Sequence, residues 1–95
     1  MRYRFLIIDD KKITNNIEIN KILTENGIDW LIDCEIEDAE ILIKNRTLIW
    51  KSGTLYSGHW IFGIWTGGDF CGIWENGIFE GGKFKGVFKS GIKSL

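Results

Sequence analysis

The chain contains no proline, one histidine and only two cysteines, Cys34 and Cys71. It has no apolar run approaching the ~20 residues that a membrane-spanning helix needs. The cysteine count excludes a disulfide framework and a cysteine-built metal site, so free buried thiols in a reducing compartment are expected. Tyr3 to Ile8 is too short an apolar run for a signal peptide, and Asp9-Asp10 follow at once. A cytoplasmic protein, or one assembled into a virion inside a cell, is the corresponding expectation. Glycine is nearly absent from the first half: 11 of the 12 glycines lie between Gly53 and Gly91. Without proline, that second half has only glycine to punctuate it.

The formal net charge of −1 excludes strong whole-molecule attraction to nucleic acid, and a polyanionic DNA mimic as well. It hides a polarity. Residues 1–45 hold six Lys/Arg against ten Asp/Glu, and residues 46–95 hold six against three. Acids gather at Asp33, Glu35, Glu37, Asp38 and Glu40, and bases at Lys83, Lys85, Lys89 and Lys93. These read either as two solvated faces or as opposite charge at two ends that would orient self-association or a partner.

Apolar residues make up 44% of the 95, enough for one small globular domain. Tyr3–Ile8 reads as a β-rich strand. Thr14, Asn15 and Asn16 offer helix caps, Ile19, Ile22 and Leu23 recur on one helical face, and Asn26-Gly27 stops the helix. Ile28–Ile32 reads as a second strand. The N-terminal strand–helix–strand unit, residues 1–33, is expected to cap one end of a β stack built by the rest of the chain.

Residues 34–95 change to short steps. Cys34-Glu-Ile36 and Ala39-Glu-Ile41 begin a five-residue pattern, which resumes after Lys44–Thr47 at Leu48-Ile-Trp50. It then runs through Gly53-Thr-Leu55, Gly58-His-Trp60, Gly63-Ile-Trp65, Gly68-Asp-Phe70, Gly72-Ile-Trp74, Gly77-Ile-Phe79, Gly82-Lys-Phe84 and Gly86-Val-Phe88 to Gly91-Ile-Lys93. Segments starting at Tyr56, Phe70 and Phe84 superpose at a spacing of 14 as aromatic-x-Gly-x-aromatic-x-x-Gly. A five-residue step does not fit the 3.6-residue helical period, so the segment is β. Coils of five, five and four residues would stack Trp60 on Trp74 on Phe88, Trp65 on Phe79, and Phe70 on Phe84. The expected fold is mainly β, a small β-solenoid capped by the N-terminal unit. The alternative is an antiparallel β-meander in which Glu75-Asn76-Gly77 is a hairpin turn, because Asn-Gly is a strong hairpin signal.

The eight-residue motif at Tyr56, Phe70 and Phe84 resembles the core of MORN repeats, which implies antiparallel hairpins serving as scaffolds. The five-residue step resembles pentapeptide-repeat β-helices, which implies a parallel coil and end-to-end pairing. Gly-x-Trp repeats of this kind are also similar to those of uncharacterised tailed-phage proteins. Neither family brings catalytic residues, and no cofactor is expected.

His59 with Cys34 or Cys71 would make a thiol–imidazole pair, but no third group or local signature accompanies it. Asp9-Asp10 reads as a turn before it reads as a Mg²⁺ site. Gly67-Gly68 and Gly81-Gly82 lack the Gly-Lys-Ser/Thr ending and following helix of a phosphate loop. The aromatics form a core if they are interior. If exposed, they are a binding face for glycan or a lipid surface. The leading expectation is a non-enzymatic structural or protein-binding module, with a phage particle component or phage-encoded accessory protein among its candidates. Its interaction surface would lie at the C-terminal solenoid end, at Phe84, Phe88, Lys89, Ile92 and Lys93. Binding there would be to a protein partner or a second copy, with nucleic acid disfavoured.

Overall fold

The computed structural model describes residues 1–94. Strand β1 (Tyr3–Ile8) turns back into a short antiparallel β2 (Lys11–Ile13) through Asp9 and Asp10, at φ 51° and 62°. Two consecutive positive φ values match the right-handed twist of the flanking strands, and aspartate tolerates them better than most residues. Helix α1 (Asn16–Glu25) comes next, with the Asn15 side chain accepting the Glu18 N–H at 2.9 Å as its N-cap. Asn16 instead turns to the sheet, where its amide accepts from the Tyr3 N–H and donates to the Tyr3 carbonyl, both at 3.0 Å. One side chain thereby does what a neighbouring strand would do. Ile19 and Leu23 are fully buried, and Gly27 at φ 74° ends the helix as the sequence predicts.

Ile28–Ile32 is not a strand. Asp29–Asp33 coils as a 3-10 helix, because the buried residues are Ile28, Leu31 and Cys34, spaced by three, while Trp30 and Ile32 are only half-buried. A strand would have turned Ile28, Trp30 and Ile32 to one side. The Arg2 guanidinium holds the end of this turn, donating to the carbonyls of Leu31, Ile32 and Cys34 at 3.2, 3.3 and 2.8 Å. The strand–helix–strand unit is completed one element later. Strand β3 (Glu35–Lys44) lies parallel to β1, with Leu6 opposite Ile41 and Ile8 opposite Ile43.

The five-residue steps at Cys34 and Ala39 are therefore not solenoid sides. They belong to β3, which pairs antiparallel with β4 (Thr47–Ser57) through a hairpin turn at Asn45 and Arg46, φ 52° and 61°. β4 then supplies the first rung of two solenoid sides, Ile49-Trp50 and Thr54-Leu55, on either side of Gly53. A Cβ at Gly53 would stand 2.6 Å from the Asp38 carbonyl oxygen, so only glycine lets the two strands approach there.

Beyond β4 the chain forms a β-solenoid of about three turns. Its two-residue strands are β5 (His59–Trp60), β6 (Ile64–Trp65), β7 (Asp69–Phe70), β8 (Ile73–Trp74), β9 (Ile78–Phe79), β10 (Lys83–Phe84), β11 (Val87–Phe88) and β12 (Ile92–Lys93). All of their pairings are parallel: β4–β6–β9–β12, β4–β7–β10 and β5–β8–β11. The antiparallel meander is thereby excluded. Asn76-Gly77 is a coil corner: the Asn76 side chain accepts the Gly77 N–H at 2.8 Å, and the next residue, Ile78, donates to Gly63 at 2.9 Å.

The ring columns are those the 14-residue spacing predicts. Trp60 stacks on Trp74 at 5.2 Å and Trp74 on Phe88 at 6.4 Å, while Trp65 meets Phe79 at 6.1 Å and Phe70 meets Phe84 at 5.2 Å. The Trp65 column also extends back into β4, with Trp50 on Trp65 at 4.4 Å and 9° between planes. Rings of different columns meet edge to face, as with Trp60 and Trp65 at 78°. Trp50, Trp60, Trp65 and Trp74 are fully buried, and their indole N–H groups find no oxygen or nitrogen partner. Edge-to-face packing is the arrangement in which such an N–H meets a ring face. At the solenoid's N-terminal end, Trp30 packs edge-on to Trp60 at 5.2 Å and closes the stack.

Candidate interaction surface

Each coil binds the one before it by the same bonds. The carbonyls of Gly68, Phe70, Gly72, Trp74, Gly77 and Phe79 accept N–H groups from the following coil at 2.7–3.0 Å. The equivalent carbonyls of Gly82, Phe84, Gly86, Phe88, Gly91 and Lys93 have no following coil among the described residues. Phe84 and Phe88 are half-buried and packed on the core, with centroids 5.8 Å apart. Phe79, one step earlier, is fully buried.

Of the five residues the sequence places at this end, the structure brings three together. Phe84 and Phe88 finish two ring columns. Lys93 stands opposite Phe79 in the third, and its ammonium lies 4.7 Å from the Phe84 ring centroid. A lysine in the last aromatic slot lays its stem across the stack and keeps its charge in water. The end thus carries a partial cover that the sequence does not reveal. Lys89 sits at a corner, 3.7 Å from the Glu75 carboxylate. Ile92 lies on the same last strand as Lys93 but on its other face. It is 59% exposed and projects from the outer face of its side, opposite Ile78.

His59 and the cysteines do not form a thiol–imidazole pair. The His59 ring is on the outer surface, with Nδ1 2.6 Å from Glu75 Oε2. The buried Cys34 thiol meets only the backbone carbonyls of Trp30 and His59, at 3.6 Å each. Burial pushes that thiol up to about 11, which leaves it protonated and unreactive near neutrality. The Glu75 carboxyl is held below the usual carboxylate range, first by the His59 hydrogen bond and then by Lys89. Together these residues form an outer charge ladder.

The acidic region of β3 opens on a cleft of about 480 Å³ between Met1, Arg2, Glu35, Ile36, Glu37 and Tyr56. Within it the Tyr56 hydroxyl donates to Glu37 at 2.8 Å, which raises the phenol's pKa. No group of three His, Cys, Asp or Glu residues able to hold a metal occurs among the described residues. Among the same residues, no helix is long and apolar enough to cross a membrane. Comparison with family models, with curated proteins and with solved structures returned no match.

Proposed function

We propose that the protein is a non-enzymatic structural or protein-binding module whose C-terminal coil takes up an extended segment of a partner. The observation that supports this reading is the last described rung. It leaves six ladder carbonyls and two half-buried phenylalanine rings beside an open edge. A strand laid on that edge adds backbone hydrogen bonds, and an apolar side chain over Phe84 and Phe88 removes ring surface from water. Lys83, Lys85, Lys89 and Lys93 surround the site, so an acidic segment suits it best. The same edge serves a second copy only where that copy offers complementary backbone groups.

Affinity capture from cell extract with the wild type and with Phe88→Asp tests the reading. Phe88 lies at the end of its column, so the variant keeps every earlier rung. The expected result is a captured protein lost with Phe88→Asp while far-UV circular dichroism is unchanged. An identical set of captured proteins for both chains overturns it.

A further inference from the structure

On every solenoid side, the residue before the inward ring points outward, and the three sides differ in what they place there. One side carries Thr54, Asp69 and Lys83, all polar. A second carries His59, Ile73 and Val87. The third carries isoleucine at every rung, with Ile49, Ile64, Ile78 and Ile92 in direct register. The row does not stop at the solenoid. Ile49 stands opposite Leu42 on β3, Leu42 opposite Ile7 on β1, and Ile7 opposite Lys12 on β2.

Six aliphatic side chains therefore cross the outer face of the sheet β12-β9-β6-β4-β3-β1-β2 in one line, closed by Lys12. None of the six packs on the buried core, which lies on the opposite face of the sheet. Five are half-buried only, and Ile92 is 59% exposed.

We infer that this face is a homodimer interface, covered by a second copy of the chain laid sheet to sheet. Three features select that occupant. The first is length. Seven strands at about 4.8 Å give a row of about 29 Å, so the cover must be an equally long, flat apolar face. The longest extent of the molecule is 30 Å, and a second copy presents such a face by construction.

The second feature is area. Three residue rows about 7 Å apart make the face about 20 Å wide, hence about 600 Å² per copy and about 1,200 Å² in total. That meets the lower bound of a stable interface, and two such sheets pack as an aligned β-sandwich. The third is charge. By strand alternation Glu40, Lys51 and Glu80 flank one side of the row and Lys44 the other, so both signs are present and copies do not repel. A lipid surface would instead call for a wholly basic flank.

Ile49 is the middle rung of the seven. A two-fold axis relating centred faces sets it against its own copy whichever way the axis runs in the interface plane. The test uses the full chain with Cys71→Ser and either Ile49→Cys or, on the polar side, Lys83→Cys, treated with a short bismaleimide. Sedimentation of the wild type, Ile64→Lys, Ile78→Thr and Phe88→Asp accompanies it.

The expected result is a wild-type dimer at about 100 µM, weakened at least ~10-fold by Ile78→Thr and abolished by Ile64→Lys. Phe88→Asp remains dimeric, and only Ile49→Cys cross-links. Ile78→Thr keeps a β-branched residue on an outer face, so it carries the test if Ile64→Lys does not fold. A monomeric wild type overturns the inference. So does a dimer indifferent to the isoleucine changes but lost with Phe88→Asp, which would place self-association at the coil end.

Discussion

Replacing Gly72 by alanine should damage the solenoid far more than replacing Gly27, although alanine is a better residue than glycine by intrinsic propensity. Gly72 has no positive φ, so nothing in its own backbone asks for glycine. What forbids a side chain is the coil beneath: a Cβ there would stand 2.5 Å from the Gly58 carbonyl oxygen and 2.7 Å from a methyl of Leu55. The methyl can move, but the carbonyl is tied, because it accepts the Ile73 N–H at 2.8 Å. Pushing it out to ordinary contact breaks that ladder bond between two half-buried residues and leaves its partners unpaired, at a cost of about 1–3 kcal/mol. Overpacking adds about 1–3 kcal/mol more, which makes roughly 2–6 kcal/mol together.

Gly27 presents the opposite case. Its φ is +74°, but nothing lies within 4 Å of the added Cβ. Only the left-handed conformation is penalised, at about 1–2 kcal/mol. Urea unfolding monitored by circular dichroism measures both. With a slope of about 1–3 kcal/mol per molar, Gly72→Ala moves the midpoint down by at least ~0.7 M and Gly27→Ala by less. Equal losses, or a greater loss at Gly27, would refute the argument that close approach of successive coils fixes the glycine positions.

The polar groups lead to two further outcomes. In the native protein Cys71, which is exposed, reacts with a thiol reagent at neutral pH, whereas Cys34 reacts only after unfolding, because burial holds its thiol at about 11. Two fast-reacting thiols in the native state would contradict the burial. The Glu75 pKa is depressed in the folded state by His59 and then Lys89. Its contribution is therefore present above the unfolded carboxyl value of 4.5 and lost as pH falls through the lower folded value. His59→Ala should narrow the gap in stability between pH 6 and pH 3, and an unchanged gap would remove the ladder from the account.

What the sequence determined alone is the part of the fold carried by local spacing. Rings at steps of five, five and four residues fall into the columns of a coil, so those columns were legible to the residue once the coil is chosen over the antiparallel meander. Helix α1 was legible for the same reason, through its 3.6-residue spacing and its caps. The end surface was legible only in part: Phe84 and Phe88 came directly from their columns. The lysine over Phe84 and the outward turn of Ile92 depended on side-chain placement in the last rung.

Tertiary structure decided the rest. Asn76-Gly77 has the chemistry of a hairpin, but Gly63 beneath it offers a carbonyl to Ile78, and the ladder outweighs the local turn preference. Ile28–Ile32 alternates like a strand, yet the Arg2 guanidinium and the pocket that takes Leu31 hold the segment as a 3-10 turn. The row from Ile7 to Ile92 comes from separate stretches of sequence. Each stretch sets the direction of its own side chains by a two-residue period. Only the hydrogen-bonded register between strands puts those outward residues in one line.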